Sequence, residues 1–244
     1  MLFFRKKNTK TPDLGWLGTD MHSHLVPGID DGAPDVATAL QLVRGLTDLG
    51  FQKIITTPHI FWEFYPNTPQ TIGSGLSEVQ KVAAGEGLPL QLSAAAEYFI
   101  DEHFKTELSQ KKPLLTLGGN MVLVEVSMMN APLDLLETLF EMQMQNYQPV
   151  IAHPERYVYL SRNRGFFEQL KDAGYLFQLN LLSITGYYGA AVKELAEYLI
   201  KQEYYDFAGT DLHHIKQLEA LQKLSGVTAL ERLKDSGRIK NQQL

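Results

Sequence analysis

The chain reads as a single-domain α/β fold, and three observations point there. Short β-branched or apolar runs alternate with amphipathic helical runs, glycine or proline marks the joins, and no linker, charge block or composition shift divides the chain. Its 244 residues match the ~200–250 common for one α/β barrel. At 27.5 kDa, roughly 70% of the unfolded chain's surface can be buried, enough for a full core.

Taken in order, the first element is a strand over residues 16–21. The clearest helix follows Pro34: Asp35 is an N-cap, Val36, Ala39, Leu40, Val43 and Leu46 form one face, and Gly50 is the stop. KIITT at 53–57 is a buried strand, followed by an irregular aromatic-rich stretch over 58–74 and a helix over 76–84. Further strands fall at 90–96, 121–126, 149–152, 176–180 and 205–209, making seven in all, with helices at 133–145, 165–173, 190–202, 217–224 and 229–234. Residues 1–17 read as a short tail and 18–244 as the domain.

Composition excludes several functions. With 44% hydrophobic and 20% charged residues the chain is globular, and with no cysteine it has no disulfide, thiolate zinc site or cysteine nucleophile. A net charge of −6 gives no global attraction for nucleic acid or anionic lipid. Arg5, Lys6 and Lys7 follow an apolar run of only Leu2 to Phe4, and no window approaches ~18 uninterrupted apolar residues, so neither a leader nor a membrane insertion is expected. The expected location is the cytoplasm.

The residues after each strand carry the chemistry. The strand exits hold Asp20 with His22 and His24, then His59, Glu97, Glu125, His153, Asn180, and Asp211 with His213; from His22 on they recur every 27 to 38 residues. In a closed parallel barrel the C-terminal strand ends converge on one face, so residues far apart in sequence would meet. Five histidines (His22, His24, His59, His153, His213) and four carboxylates (Asp31, Glu97, Glu125, Asp211) then gather without a thiol. Imidazole with carboxylate suits Mn²⁺, Fe²⁺ or Zn²⁺, with Mg²⁺ less suited to the nitrogen content. In an extended segment, the period of two puts His22 and His24 on one side. Two divalent ions would neutralise the four carboxylates, and three would leave the site positive toward a phosphate dianion.

DMHSHLVPGIDDG (20–32), TTPH (56–59), AAEYF (95–99), LVEVS (123–127), AHPERY (152–157) and GTDLHH (209–214) resemble the successive motifs of the PHP (polymerase and histidinol phosphatase) superfamily. Within it they resemble the bacterial metal-dependent protein-tyrosine phosphatases of the CpsB/YwqE type, associated with capsule and exopolysaccharide synthesis. The resemblance spans about residues 18–235. It implies a distorted (βα)7 TIM-like barrel with three divalent metal ions, typically Mn²⁺, held by His22, His24, Asp31, His59, Glu97, Glu125, His153, Asp211 and His213. It also implies that Arg156 binds the substrate phosphate, its guanidinium taking two phosphoryl oxygens at once. In one respect the chain departs from the family. A second arginine is common shortly after the last Asp-x-His, whereas here the segment reads DLHHIKQLEAL, with Lys216 as the nearest cation.

Other polar residues carry weaker expectations. Asp30, beside Asp31, is expected to orient a histidine or cap the loop, and Asp20 is weighed as an outer partner of the cluster. His214 is either a proton donor or simply exposed, and His103 is a surface residue on a helix. The aromatics of HIFWEFY (59–65) either stack on a tyrosine ring or form the small core of a loop. Arg162 and Arg164 read as solvated surface.

The expected function is hydrolysis of phosphotyrosine in proteins, with a metal-bridging hydroxide attacking phosphorus and Arg156 clamping the phosphoryl group. A polysaccharide-synthesis tyrosine kinase is the expected partner. The rivals are a small-molecule phosphatase of the histidinol-phosphate or nucleotide kind, a metallo-amidohydrolase, which would use a modified lysine where Glu125 stands, and a non-catalytic PHP scaffold.

Overall fold

The computed structural model describes residues 11–88 and 91–244. Its strands are all parallel and fall into two hydrogen-bonded sets. β1 (Thr19–Asp20), β2 (Lys53–Thr56) and β4 (Gln91–Ala94) form the first. β3 (His59–Ile60), β5 (Glu97–Phe99), β6 (Met121–Glu125), β7 (Gln148–Ala152), β8 (Leu176–Asn180) and β9 (Phe207–Gly209) form the second, in that order.

The two sets are one sheet with a break. β2 pairs with β4, and after two intervening residues on each chain segment β3 pairs with β5 in the same sense, His59 opposite Glu97. The strands expected at 53–57 and 90–96 are thus present as β2 and β4, and each resumes beyond its expected end as β3 and β5; residue 90 lies outside the described residues. At the far end the last strand meets the first: the Asp211 N–H donates to His22 O (2.7 Å) and the His24 N–H to Leu212 O (2.9 Å). The buried Asp20 carboxylate reinforces this seam by accepting from the Thr210 N–H (2.9 Å) and hydroxyl (2.8 Å). The parallel sheet therefore curls until its two ends touch.

Two apolar layers follow from strand alternation. Met21, Ile55, Ala95, Leu123, Val150, Ala152 and Phe207 point inward and pack together inside the curl. The alternate positions, such as Ile54, Val122, Val124, Ile151, Phe177 and Ala208, belong to the larger core shared with the helices.

The helices bear out most of the sequence boundaries to within a few residues. In α1 (Val36–Asp48), Asp35 accepts the Thr38 N–H at 2.7 Å, and Gly50 at φ +101° turns the chain. The main difference is α2 (Pro69–Gly85), which starts within the stretch expected to be irregular. Its start is capped by Thr68, which exchanges hydrogen bonds with Thr71. The remaining helices are α3 (Glu102–Ser109), α4 (Leu135–Met144), α5 (Gly165–Asp172), α6 (Ala190–Lys201), α7 (Ile215–Leu221) and α8 (Thr228–Asp235). Packing also begins before residue 18: Leu14 and Leu17 are buried, and the Leu14 N–H donates to Leu49 O at 2.8 Å. The tail expected over 1–17 thus does not extend that far, and its first ten residues lie outside the described ones. No helix of the described residues is long and apolar enough to cross a membrane.

Candidate metal centre and substrate pocket

Residues from most of the strand ends meet around one cavity of about 390 Å³. Asp31, His59, Glu97, Glu125, His153, Asp211 and His213 line it, and His22 and His24 sit beneath, both fully buried. All nine residues singled out from the sequence are therefore brought together. Two of them, His153 (φ +31°) and Asp211 (φ +51°), hold left-handed backbone conformations, a local cost that surrounding contacts must sustain.

Hydrogen bonds fix which ring nitrogens face inward. Gln178 Oε1 accepts the His153 N–H (3.3 Å), and its Nε2 donates to Leu179 O, so Oε1 is the atom 2.9 Å from His22 Nδ1. An acceptor there requires the His22 proton on Nδ1, leaving the Nε2 lone pair pointing into the cluster. Asp30 Oδ2 does the same for His24 Nδ1 at 2.8 Å, while also accepting the His59 N–H. Of the two expectations for Asp30, orienting a histidine is the one the structure shows, and its Oδ1 also holds the loop through the Gly32 N–H.

With both rings neutral, the inward atoms are all acceptors. His22 Nε2 lies 3.0 Å from Glu97 Oε2, 3.2 Å from Asp211 Oδ1 and 3.3 Å from His24 Nε2. His24 Nε2 is 3.4 and 3.5 Å from the same two carboxylate oxygens. Lone pairs crowded this way repel unless a cation lies among them. The spacing is that between neighbouring donors around an ion with bonds of ~2.1 Å. Two further groups of donors adjoin this one: His24, Asp31, His59 and His213, and His59 with Glu97 and Glu125. His153 Nε2 stands 3.1 Å from Glu97 Oε1 and 3.7 Å from Glu125 Oε2. His59 Nδ1 is buried with no hydrogen-bond partner. The donor set fits divalent metal.

Without an ion, protons take up that positive role: against burial, Glu97 and then Asp211 raise the His22 pKa, and Asp30 foremost raises that of His24. Burial, then the Glu97 charge, pushes the Glu125 carboxyl well above the carboxylate range. Burial opposes ionisation of Glu97 and Asp211 too, but facing imidazoles, His22 foremost, hold both well below it. Burial drives His59 down to about 4, so its ring is a neutral donor.

The rest of the cavity divides by character. Phe61, Tyr65, Phe99, Val126 and Met128 form its apolar part. Phe61 stacks on Phe99 at 4.0 Å and Tyr65 on His59 at 5.5 Å, whereas Trp62 and Phe64 are exposed, Trp62 stacking on His103. The polar part holds Arg156, Tyr188, His214 and Gln217. Arg156 Nη1 donates to Asp211 Oδ2 at 3.0 Å, and its guanidinium lies 4.6 Å from the Tyr188 ring centre. Among the described residues it is the one arginine or lysine lining the cavity.

Other candidates fall elsewhere. Asp20 ties the sheet seam through Thr210 and makes no hydrogen bond to a cluster histidine, its carboxyl raised by burial to about 6. His214 is exposed and caps α7, accepting the Gln217 N–H. Arg162, Arg164 and Lys216 do not line the cavity, Arg164 pairing instead with Glu194. Sequence reasoning missed Gln178, Tyr188 and the buried Glu155, which accepts the Asn180 N–H and the Tyr205 hydroxyl. Only Gln178 left a signal, a polar residue inside an otherwise apolar strand.

The family described as capsular polysaccharide synthesis, CpsB/CapC, matches residues 18–229. The chain belongs to the CpsB/CapC family. The tyrosine-protein phosphatase YwqE of Bacillus subtilis is 27% identical over 197 residues, 81% of this chain and 78% of YwqE. A chain from the crystal structures of YwqE from Bacillus subtilis and CpsB from Streptococcus pneumoniae, described as metal-dependent tyrosine phosphatases, superposes with a TM-score of 0.79. It is 25% identical, covering 91% of this chain and 89% of that one. Histidinol phosphate phosphatase from Lactococcus lactis, at 15% identity and a TM-score of 0.57 over 94% of both chains, shares the fold. The matched range of this CpsB/CapC chain contains every residue of the cluster and Arg156.

Proposed function

We propose that this chain is a metal-dependent protein-tyrosine phosphatase of the cytoplasm, acting in capsular or exopolysaccharide biosynthesis on phosphotyrosine proteins that include a polysaccharide-synthesis tyrosine kinase. The observation that carries this reading is the group of four inward acceptors, on His22, His24, Glu97 and Asp211, packed 3.0–3.5 Å apart beside the guanidinium of Arg156 and an aromatic face. The tyrosine-phosphatase names of its relatives support it. In this reading the curled sheet is a distorted (βα)7 barrel, with β2 and β3, and β4 and β5, each counted as one strand, and the chain is one phosphatase domain.

The three overlapping donor groups suit three divalent ions; mixed imidazole and carboxylate suits Mn²⁺, Fe²⁺ or Zn²⁺ better than Mg²⁺, and the resemblance to the family favours Mn²⁺ among them. Such ions supply Lewis-acid charge stabilisation and lower the pKa of coordinated water toward neutrality. The chain's own residues do the rest. Gln178 and Asp30 hold the His22 and His24 rings in the tautomer that presents Nε2. Arg156 binds the phosphoryl oxygens and offsets charge developing on them. Phe61, Phe99 and Met128 seat the aryl ring and keep water from it. A phenol of pKa ~10 leaves without strong acid assistance, so no general acid is assigned.

The test is elemental analysis of the purified protein together with turnover of a phosphotyrosyl peptide and of histidinol phosphate. Bound divalent metal, with peptide hydrolysis lost on chelation and restored by Mn²⁺, is expected. Full activity after metal is shown to be absent would overturn the metal chemistry. Preference for histidinol phosphate would favour the small-molecule rival.

A further inference from the structure

Resting on the phosphatase reading, we infer that Tyr188 is a second phosphoryl-binding group, whose phenolic O–H donates to an oxygen of the substrate phosphate beside Arg156. The inference comes from counting hydrogen bonds around one oxygen. Tyr188 Oη accepts from Asn180 Nδ2 at 3.2 Å and from Gln217 Nε2 at 3.2 Å.

Neither amide can be turned round. Asn180 Oδ1 accepts the Leu182 N–H (2.9 Å), and its Nδ2 also donates to the Asp211 carboxylate (2.7 Å). Gln217 Oε1 accepts the N–H groups of His213 (2.7 Å) and His214 (3.3 Å). Backbone donors thus fix both oxygens, and both NH₂ groups point at Tyr188. A phenol oxygen that accepts twice has only its proton left to place. Among the described residues no acceptor takes that proton, and Tyr188 lines the cavity with Arg156.

The Tyr188 ring packs against the Arg156 guanidinium, so the two donors are adjacent, one charged and one neutral. Burial, with the Asp211 charge next, raises the Tyr188 pKa, which keeps the proton on the phenol. A neutral donor held by two amides supplies directional hydrogen bonding beside Arg156, the one cationic arginine or lysine side chain lining the cavity among the described residues. The ligand it fits is a phosphate monoester or inorganic phosphate.

The experiment uses the Mn²⁺-loaded protein, with p-nitrophenyl phosphate as substrate and inorganic phosphate as competing ligand. Tyr188→Phe keeps the ring under Arg156 and removes only the oxygen. It should lower kcat/KM by about 10- to 100-fold and raise the phosphate inhibition constant, with metal content and melting profile close to wild type. Unchanged kcat/KM and unchanged phosphate inhibition in a metallated, folded variant would overturn the inference. Arg156→Lys and the double variant separate direct donation from propping of the arginine. A direct donor keeps its effect in the Arg156→Lys background, whereas a loss confined to the Arg156 background would also overturn it. Wild-type turnover is read in the same assay, so a protein that hydrolyses no phosphate ester fails the phosphatase reading rather than this one.

Discussion

The Asp30 carboxylate stands 2.8 Å from Nδ1 of His24, and its second oxygen accepts the Gly32 N–H. A side chain that never points into the cavity thus decides which nitrogen of His24 does. Burial works against its charge, but the His24 imidazole holds Asp30 down at about 2, so it is ionised at any working pH. Asp30→Asn keeps the size but weakens the acceptor and can present its NH₂ to the ring, favouring the wrong tautomer. The expected result is a 10- to 100-fold weaker metal affinity, about the range for lost outer partners. Titration of the apo protein with Mn²⁺ measures it, and unaltered affinity would show that the ring orientation does not depend on Asp30.

Glycine is required where the first and last strands meet. A Cβ at Gly209 would lie 2.6 Å from His22 Cβ and 3.0 Å from Gln178 Nε2, so Gly209→Ala must displace the histidine or the amide that holds it. A loss of ~1–3 kcal/mol in stability and a reduced metal content are expected. Gly73 in α2 is the control, because its Cβ would meet nothing within 4 Å. Gly73→Ala should raise the melting temperature through better helix propensity. Equal behaviour of the two variants in melting and metal analysis would contradict the packing.

What could be read from the sequence divides along physical lines. Strand ends were legible because apolar runs set the strands, and a histidine or carboxylate directly after an apolar run has few structural uses. The nine cluster residues and Arg156 all came from that rule or from the motif resemblance. Gln178 stood out only as a polar residue in an apolar strand, and its role was not legible: its partner His22 is 156 positions away, and no local pattern encodes a contact across the curl. Nor was Tyr188, whose role depends on two amides being fixed by backbone donors elsewhere. The start of α2 was hidden because its cap uses Thr71 where a capping box usually has Glu or Gln, and because Gly73 and Gly75 weaken the helical signal. Gly75 has a packing reason, since a Cβ there would collide with the Val26 side chain. β1 is shorter than expected because residues 14–18 form turns, with Leu17 N–H to Leu14 O and Gly18 N–H to Gly15 O.

Asp206 provides a stability test away from the cluster. Its carboxylate accepts from Lys171 Nζ (2.6 Å), Lys240 Nζ (2.8 Å) and the Phe177 N–H (3.1 Å), joining α5, β8 and the C-terminal segment. Burial raises its pKa, but Lys171 and then Lys240 outweigh that and hold it below the usual value. A depressed carboxylate pKa contributes stability that is fully present above the unfolded value of ~3.9 and lost as pH falls through the folded one. Asp206→Asn should therefore cost about 1–2 kcal/mol at pH 7, discounted for the solvent-screened Lys240. The gap between wild type and variant should close as pH falls below ~4. A gap that stays constant across melting curves from pH 7 to pH 3 would place the effect in packing instead of charge.

Arg156 tests the phosphate clamp separately from the metals. The guanidinium carbon lies over the Tyr188 ring, 4.6 Å from its centre, and one nitrogen reaches Asp211. Since guanidinium is planar, its other N–H groups stay free to form a fork on a phosphoryl group. Lysine keeps the charge but has neither the fork nor the stacking face. Arg156→Lys should lose ~1.5–3 kcal/mol of transition-state binding, or about 10- to 150-fold in kcat/KM toward a phosphotyrosyl peptide, with metal content unchanged. Because Asp211 is itself one of the inward donors, the competing role is structural, with Arg156 merely holding that carboxylate in place. A structural arginine would instead show as lost metal or a lower melting temperature, with the activity per metallated molecule intact. Steady-state kinetics beside metal analysis on the same preparation distinguishes the two, and undiminished kcat/KM in fully metallated Arg156→Lys would remove this residue from the substrate's path.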